Sequence, residues 1–368
     1  MGELEYGRLL SCMRRAMEGQ ELVISFLGGS ITQGSLASSD TRTYAYQVYQ
    51  WWCDTFQDAS FHYVNGGIGG TTSHFGVSRV FEDVLMYRPD VVVVDFSVND
   101  DADVFFQETF EGLIRKLISF ETAPAVLVLN NVYYDTGENA QKYHNAVTDY
   151  YNIPHVSILD TVYQRMKAGE FRREELTSDG LHPNDKGHGL LAQEIIKYLE
   201  QVRQKAEDIG FCDGDIREVL PRTLPTPLTV NAYQEAVRLS IQNSAPELNG
   251  FRADTGEKMG HLDFFKNGWI GRKKGDRISF EVECSCIAVQ YRKTIRRPSP
   301  VAKLVLDGNQ EGAILLDGNF EEDWGDCLYL ERVLHHGDLG KHLVEIEVVQ
   351  ADAEDKEPFY LLSLIVAN

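Results

Sequence analysis

The chain has 368 residues, long enough for two domains that each bury a core, and its hydrophobic share of 43% is that of a globular protein. Its 56 acidic residues against 35 Lys and Arg leave a formal net charge of −21, which repels nucleic acid and anionic membranes and favours a neutral or cationic small molecule as partner. No apolar run approaches the roughly 20 residues of a membrane span, and the opening "MGELEYGRLLSCMRRAMEGQ" is a poor signal peptide, so a cytoplasmic location is expected.

In chain order, "LVISFLG" predicts a first strand that stops at Gly28-Gly29-Ser30, followed by the helical stretch "TYAYQVYQWWCDTF". "FHYVNG" predicts a second strand, "DVVVVDF" a third too uniformly apolar to have a wet face, and "AVLVLN" a fourth. Helices are expected between and after them at "SHFGVSRVFEDVLMYR", "VFFQETFEGLIRKLISF", "ENAQKYHNAVTDYY" and "DKGHGLLAQEIIKYLEQVRQKAED". Strand then helix, repeated, means α/β: a parallel sheet between helical layers, with ligands bound beyond the carboxyl ends of the strands. Ser30, Gly69 with Gly70, Asn99 and "NNVYYD" follow the four strands in turn, so all face one rim.

After about residue 206 the texture changes. "DIGFCDGDIREVLPRTLPTPLTVN" carries Pro221, Pro225 and Pro227 and reads as a linker. Beyond it "RISFEVECSCIAVQYRK", "AKLVLDG", "GAILLDG", "CLYLERVL", "KHLVEIEVV" and "FYLLSLIVA" are strands separated by Asp-Gly, Gly-Asp and Gly-Lys turns, the pattern of a β-sandwich. The expected organisation is a catalytic domain over 1–206, a linker over 207–228 and a β-sandwich over 229–368. Of the six cysteines only Cys284 and Cys286 are close, and their spacing points both to one face of a strand. A reduced thiol pair is the expected reading, since metal binding would need further ligands.

Gly29 to Gly34 has the glycine spacing of a P-loop, but Ser35 stands where its lysine belongs and nothing would reach the terminal phosphates. The G-x-S-x-G elbow fails as well, because Thr32 replaces its second glycine. A plain turn capped by Ser30 is the competing explanation. A nucleophilic serine needs a base, an orienting carboxylate and oxyanion donors. "SVND" supplies the Asn99 amide, "GGIGGTTS" unshielded glycine N–H groups, and "SDGLHPND" both Asp179 and His182, three residues apart. Each fragment has an ordinary turn or cap explanation on its own; together they meet at one rim in the required order. His182, His188, Asp179 and Asp185 form an alternative metal-ligand set, which would leave Ser30 and Asn99 unexplained.

These blocks resemble those of the SGNH (GDSL-like) hydrolase superfamily: "GGSIT" the first, with Gly29 in place of Asp; "NGGIGGTTS" the glycine block; "SVND" the asparagine block, with Ser97 in place of Gly; and "DGLHP" the D-x-x-H block. The resemblance implies a three-layer α/β/α fold with a flavodoxin-like parallel sheet. It also implies Ser30 as nucleophile, His182 as base and Asp179 as its orienting carboxylate. The oxyanion donors would be Ser30, Gly70 (Gly69 as second choice) and Asn99, and no metal or organic cofactor would be required. An SGNH domain followed by a β-sandwich is similar to two-domain acetyl mannan esterases that act on imported oligosaccharides, where the second domain is carbohydrate-binding-module-like. An acetylated oligosaccharide, mannan before xylan, is then the expected partner, with a homo-oligomer left open. Tyr133 and Tyr134 could wall the site, and Trp324, with Trp269 as second candidate, could stack on a sugar face. Short-chain lipid ester or thioester hydrolysis is the rival within this superfamily, and a non-catalytic sugar-binding protein the rival outside it.

Overall fold

The computed structural model describes residues 7–208 and 224–368, and the chain divides into units of residues Met1–Gln234 and Glu235–Asn368. The first unit is built on five parallel strands: β1 (Glu21–Gly28), β2 (Ser60–Gly67), β3 (Val91–Asp95), β4 (Ala125–Asn130) and β5 (His155–Ser157), in the order β2-β1-β3-β4-β5. That is the doubly wound order whose topological switch point lies between β1 and β3. Val91 to Val94 are each no more than 1% exposed, so β3 shows no alternation because both of its faces are covered.

The helices are α1 (Gly7–Met17), the single turn α2 (Ser30–Gln33), α3 (Tyr44–Thr55), α4 (Ser73–Asp83), α5 (Val104–Ile118), α6 (Gln141–Tyr150), α7 (Val162–Lys167) and α8 (Asp185–Asp208). Local chemistry sets several starts. Thr43 Oγ1 accepts from Tyr46 N at 3.2 Å and Asp103 Oδ1 from Phe106 N at 2.9 Å, relieving orphan donors of α3 and α5. α1 was not expected from the sequence, although Leu9, Met13 and Ala16 make a buried stripe on it. β5 is only three residues long, too short to announce itself.

The second unit comprises β6 (Val237–Leu239), β7 (Glu247–Asn249), β8 (Arg252–Ala253), β9 (Trp269–Gly271), β10 (Arg277–Cys284), β11 (Cys286–Lys293), β12 (Val301–Leu306), β13 (Ile314–Asp317), β14 (Cys327–Leu334), β15 (Gly340–Gln350) and β16 (Phe359–Ala367). One antiparallel sheet runs β13-β12-β15-β10-β7 and the other β14-β11-β16-β9-β8, with β6 paired to β16. Ile278, Phe280, Val344 and Ile346 of the first share one buried core with Val289, Tyr291, Leu361 and Leu364 of the second, which makes the pair a sandwich. The run "RISFEVECSCIAVQYRK" is two strands rather than one. It breaks at Ser285, sending β10 into one sheet and β11 into the other, so Cys284 and Cys286 do not share a strand face.

The proline-rich stretch expected as a linker lies partly outside the described residues, including Cys212 and Pro221. What is described of it, from residue 224 to Gln234, packs on the first unit. The buried Glu111 carboxylate of α5 accepts from Leu228 N (2.6 Å), Thr229 N (2.7 Å) and the Thr229 hydroxyl, and Glu108 accepts from Ala232 N (2.9 Å). Arg115 donates to Pro225 O at 2.8 Å and to Gln234 Oε1 at 2.6 Å. Residues expected as the end of a linker and the start of the sandwich are thus a strap across α5, and the second unit begins at Glu235.

Candidate active site

β1 ends at Gly28 and Ser30 opens α2, so the Ser30 N–H lies in a first turn where no intrahelical acceptor exists. The Ser30 hydroxyl donates to His182 Nε2 at 2.8 Å, and His182 Nδ1 donates to Asp179 Oδ2 at 2.7 Å. The other Asp179 oxygen accepts from Leu181 N (2.9 Å), His182 N (2.8 Å) and the Thr177 hydroxyl (3.0 Å). Partial burial pushes this carboxyl up, but the His182 ring and the two backbone N–H groups outweigh burial and hold it down at about 2. It is therefore charged at neutral pH and fixes the tautomer that leaves Nε2 open to the serine. The turn between them depends on Gly180, whose φ of +81° is left-handed and where a Cβ would lie 2.1 Å from Asp135 Oδ2. Gly180 O in turn accepts from Tyr134 N at 2.7 Å, tying this turn to the end of β4.

Asn99, beyond the end of β3, reaches Gly29 so closely that a Cβ there would lie 2.2 Å from Asn99 Oδ1. Gly29 thus makes room for the amide beside the serine. The Gly69 backbone lies against Ser30, with its virtual Cβ 3.7 Å from Ser30 Cβ, but the Gly69 N–H already donates to Gln33 Oε1 at 2.6 Å. Among the described residues no acceptor takes the Gly70 N–H.

The support beneath these groups escaped the sequence reading. Arg79 of α4 is fully buried and donates to Gly66 O (2.6 Å), Gly28 O (2.9 Å) and the Thr71 hydroxyl (3.3 Å), joining the ends of β1 and β2 to the glycine loop. Asp95, the last residue of β3, accepts from Thr32 Oγ1 (3.2 Å) and Asn131 Nδ2 (2.8 Å), and Tyr44 OH lies 2.7 Å from the same threonine oxygen. Asp100 accepts from Ser73 N (2.8 Å) and from His144 Nε2 (3.0 Å), whose ring stacks on Phe110 at 3.8 Å. Burial pushes the Asp100 carboxyl up while His144 opposes that shift. Asp100 thereby anchors the residue after Asn99 to the start of α4. Its signal is the Asp of "SVND", which the sequence alone explains equally well as a turn or helix cap.

The family model for the GDSL-like lipase/acylhydrolase family matches residues 26–190. Two crystal structures of a two-domain esterase active on acetylated mannans are 45% identical to this chain with a TM-score of 0.92. One of them is co-crystallised with mannopentaose; they cover 98% of this chain, which covers 94% and 95% of theirs. The chain belongs to the GDSL-like lipase/acylhydrolase family. It is accordingly a carboxylic ester hydrolase. No curated protein matches it.

Both departures from the usual family blocks have local reasons. Gly29 accommodates Asn99 as described, and Ser97 is buried with its hydroxyl donating to Asn131 O at 3.0 Å. Among the residues expected to recognise substrate, Tyr133 is 37% exposed and lines a cavity of about 660 Å³ with Asn99, Asp101, Asn139 and Lys142. Tyr134 is a correction: its side chain is buried in the core, where burial raises its hydroxyl's pKa, and it walls nothing. Trp324 is 54% exposed, its indole N–H on Glu322 and its ring edge-on to Phe320, so it does not plug the sandwich core. Trp269 does, packed edge-on against Phe280. His188, the pivot of the alternative metal reading, has both ring nitrogens engaged: Nδ1 accepts from Tyr44 N and Nε2 donates to Ser35 O, each at 3.2 Å. Burial pulls its pKa down to about 4, so it is neutral at physiological pH. Asp185 holds Ser38 through its N–H (2.8 Å) and hydroxyl (2.7 Å).

Proposed function

We propose that this esterase removes O-acetyl groups from mannan-type oligosaccharides in the cytoplasm, with Ser30 as nucleophile. The observation that carries the chemistry is the relay from Ser30 Oγ through His182 to Asp179, at 2.8 and 2.7 Å. Ser30 Oγ attacks the acetyl carbonyl while His182 Nε2 takes its proton, and Asp179 orients and stabilises the imidazolium. The oxyanion is held by the N–H groups of Ser30 and Gly70 and by the Asn99 amide, donors fixed before substrate arrives. His182 then returns the proton to the sugar oxygen as the C–O bond breaks, and a water activated by the same imidazole releases acetate from Ser30. No step calls for a metal or an organic cofactor.

The substrate class is supported by the 45% identity, over 98% of the chain, to an esterase active on acetylated mannans. In the first unit Tyr133 offers an aromatic edge beside Asn99. In the second unit the exposed Trp324 has the exposure that a sugar-stacking platform needs, consistent with a carbohydrate-binding role for the sandwich.

The deciding assay is acetate release from acetylated manno- and xylo-oligosaccharides by the wild type, Ser30→Ala and Asn99→Ala. Ser30→Ala should lower kcat by roughly 10⁴ or more and Asn99→Ala by about 10² to 10³. Folded Ser30→Ala with near-normal activity would remove the serine from the mechanism. A preference for xylo-oligosaccharides would leave the mechanism standing and replace the substrate.

A further inference from the structure

Outside the esterase site, three metal-ligating side chains of the second unit converge where the sequence offered only a cysteine pair. Cys286 Sγ opens β11, and the rings of His335 and His336 sit in the turn between β14 and β15; one ligand atom from each lies within 4.8 Å of the other two. Adjacent residues in an extended strand point to opposite faces, so two neighbouring histidines ordinarily cannot serve one ion. Here His336 takes a left-handed φ of +51°, and the two rings are side by side with centroids 4.0 Å apart. A left-handed non-glycine residue is a small backbone cost that persists only when its surroundings enforce it. Within the turn, Gly337 N donates to Ser285 O (2.9 Å), and His342 Nε2 donates to Asp338 O (3.2 Å). His336 N also donates to Cys286 Sγ at 3.4 Å, which ties the turn directly to the sulfur.

We propose that Cys286, His335 and His336 bind a single zinc(II)-type cation, with water completing a tetrahedron. One thiolate and two imidazoles form a borderline-soft donor set that suits zinc and disfavours magnesium and calcium, which take oxygen ligands. Zinc–sulfur and zinc–nitrogen bonds of about 2.3 and 2.0 Å place tetrahedral ligand atoms about 3.3 to 3.6 Å apart. Binding draws the ligand atoms in from their present spacing of up to 4.8 Å, and the exposed His336 gives the ion a way in to the buried sulfur. On binding, Cys286 releases its thiol proton to solvent, the imidazoles bind as neutral rings, and no electron moves.

The test uses the full chain, titrated with cobalt(II) chloride and then zinc(II) chloride. One equivalent of cobalt should raise a sulfur-to-cobalt charge-transfer band that zinc abolishes. The band should be missing in Cys286→Ser. His336→Ala, on an exposed turn and checked by circular dichroism, should weaken zinc binding roughly tenfold or more. Absence of the band in the wild type, its persistence in Cys286→Ser, or unchanged zinc affinity in folded His336→Ala would each overturn the site.

Discussion

Two carboxylates of the first unit are pushed in opposite directions by their surroundings. Asp179, held down at about 2 from an ordinary 3.8, contributes stability that is present above about pH 4 and is lost as pH falls through about 2. Asp95 is fully buried, and burial pushes it up from 3.8 to about 7 against the bonds from Asn131 and Thr32, with Asp100 adding to the rise. A folded-state value above the unfolded one means that the native chain keeps a proton the unfolded chain has released. Its contribution is full below about pH 4 and is lost as pH rises through about 7. The melting temperature of the wild type should therefore decline relative to that of Asp95→Asn between pH 5 and pH 8; parallel curves would show that Asp95 is not the titrating group. Asp179 was legible because its partner stands three residues away. Asp95 was not, because its partners Thr32 and Asn131 are 63 and 36 positions distant and "DVVVVDF" reads simply as a strand.

At the scale of elements, α5 shows how a charged face can mislead. Glu108, Glu111 and Arg115 recur at helical spacing, a pattern that ordinarily marks a solvated side, yet all three are buried. They are buried because residues 224 to 234 cross them, with Tyr233 set edge-on to His74 and Phe105 at 5.0 and 5.7 Å. Pro225 and Pro227 give that segment the sequence pattern of a linker, whereas it is the partner of the charged stripe, which lies more than a hundred positions upstream of it, with 117 positions between Glu111 and Leu228. Glu111→Ala should strand the N–H groups of Leu228 and Thr229 and destabilise the first unit by about 1–3 kcal/mol, measured by urea unfolding. An unchanged midpoint would mean that the strap contributes nothing to the stability of the unit.

For the whole molecule, the division into an α/β unit and a sandwich was readable because each part repeats its own period: strand then helix in the first, short strands with turn signals in the second. Sheet membership was not readable, since a chain passing between sheets at Ser285 leaves no glycine or proline to mark the place. Nor was the fate of the tryptophans, where Trp269 and Trp324 are one residue type with opposite burial decided by long-range pairing. The crossing at Ser285 has a further effect. Cys284 pairs with Gly340 in one sheet and Cys286 with Ala367 in the other, so a single residue is all the slack between two ladders. Neither ladder can fray past that corner without pulling on its neighbour, and the sandwich should exchange its amide hydrogens as one cooperative body. Deuterium uptake should accelerate in β10 and β11 at the same denaturant concentration, and a clear lag between them would reveal a corner that yields.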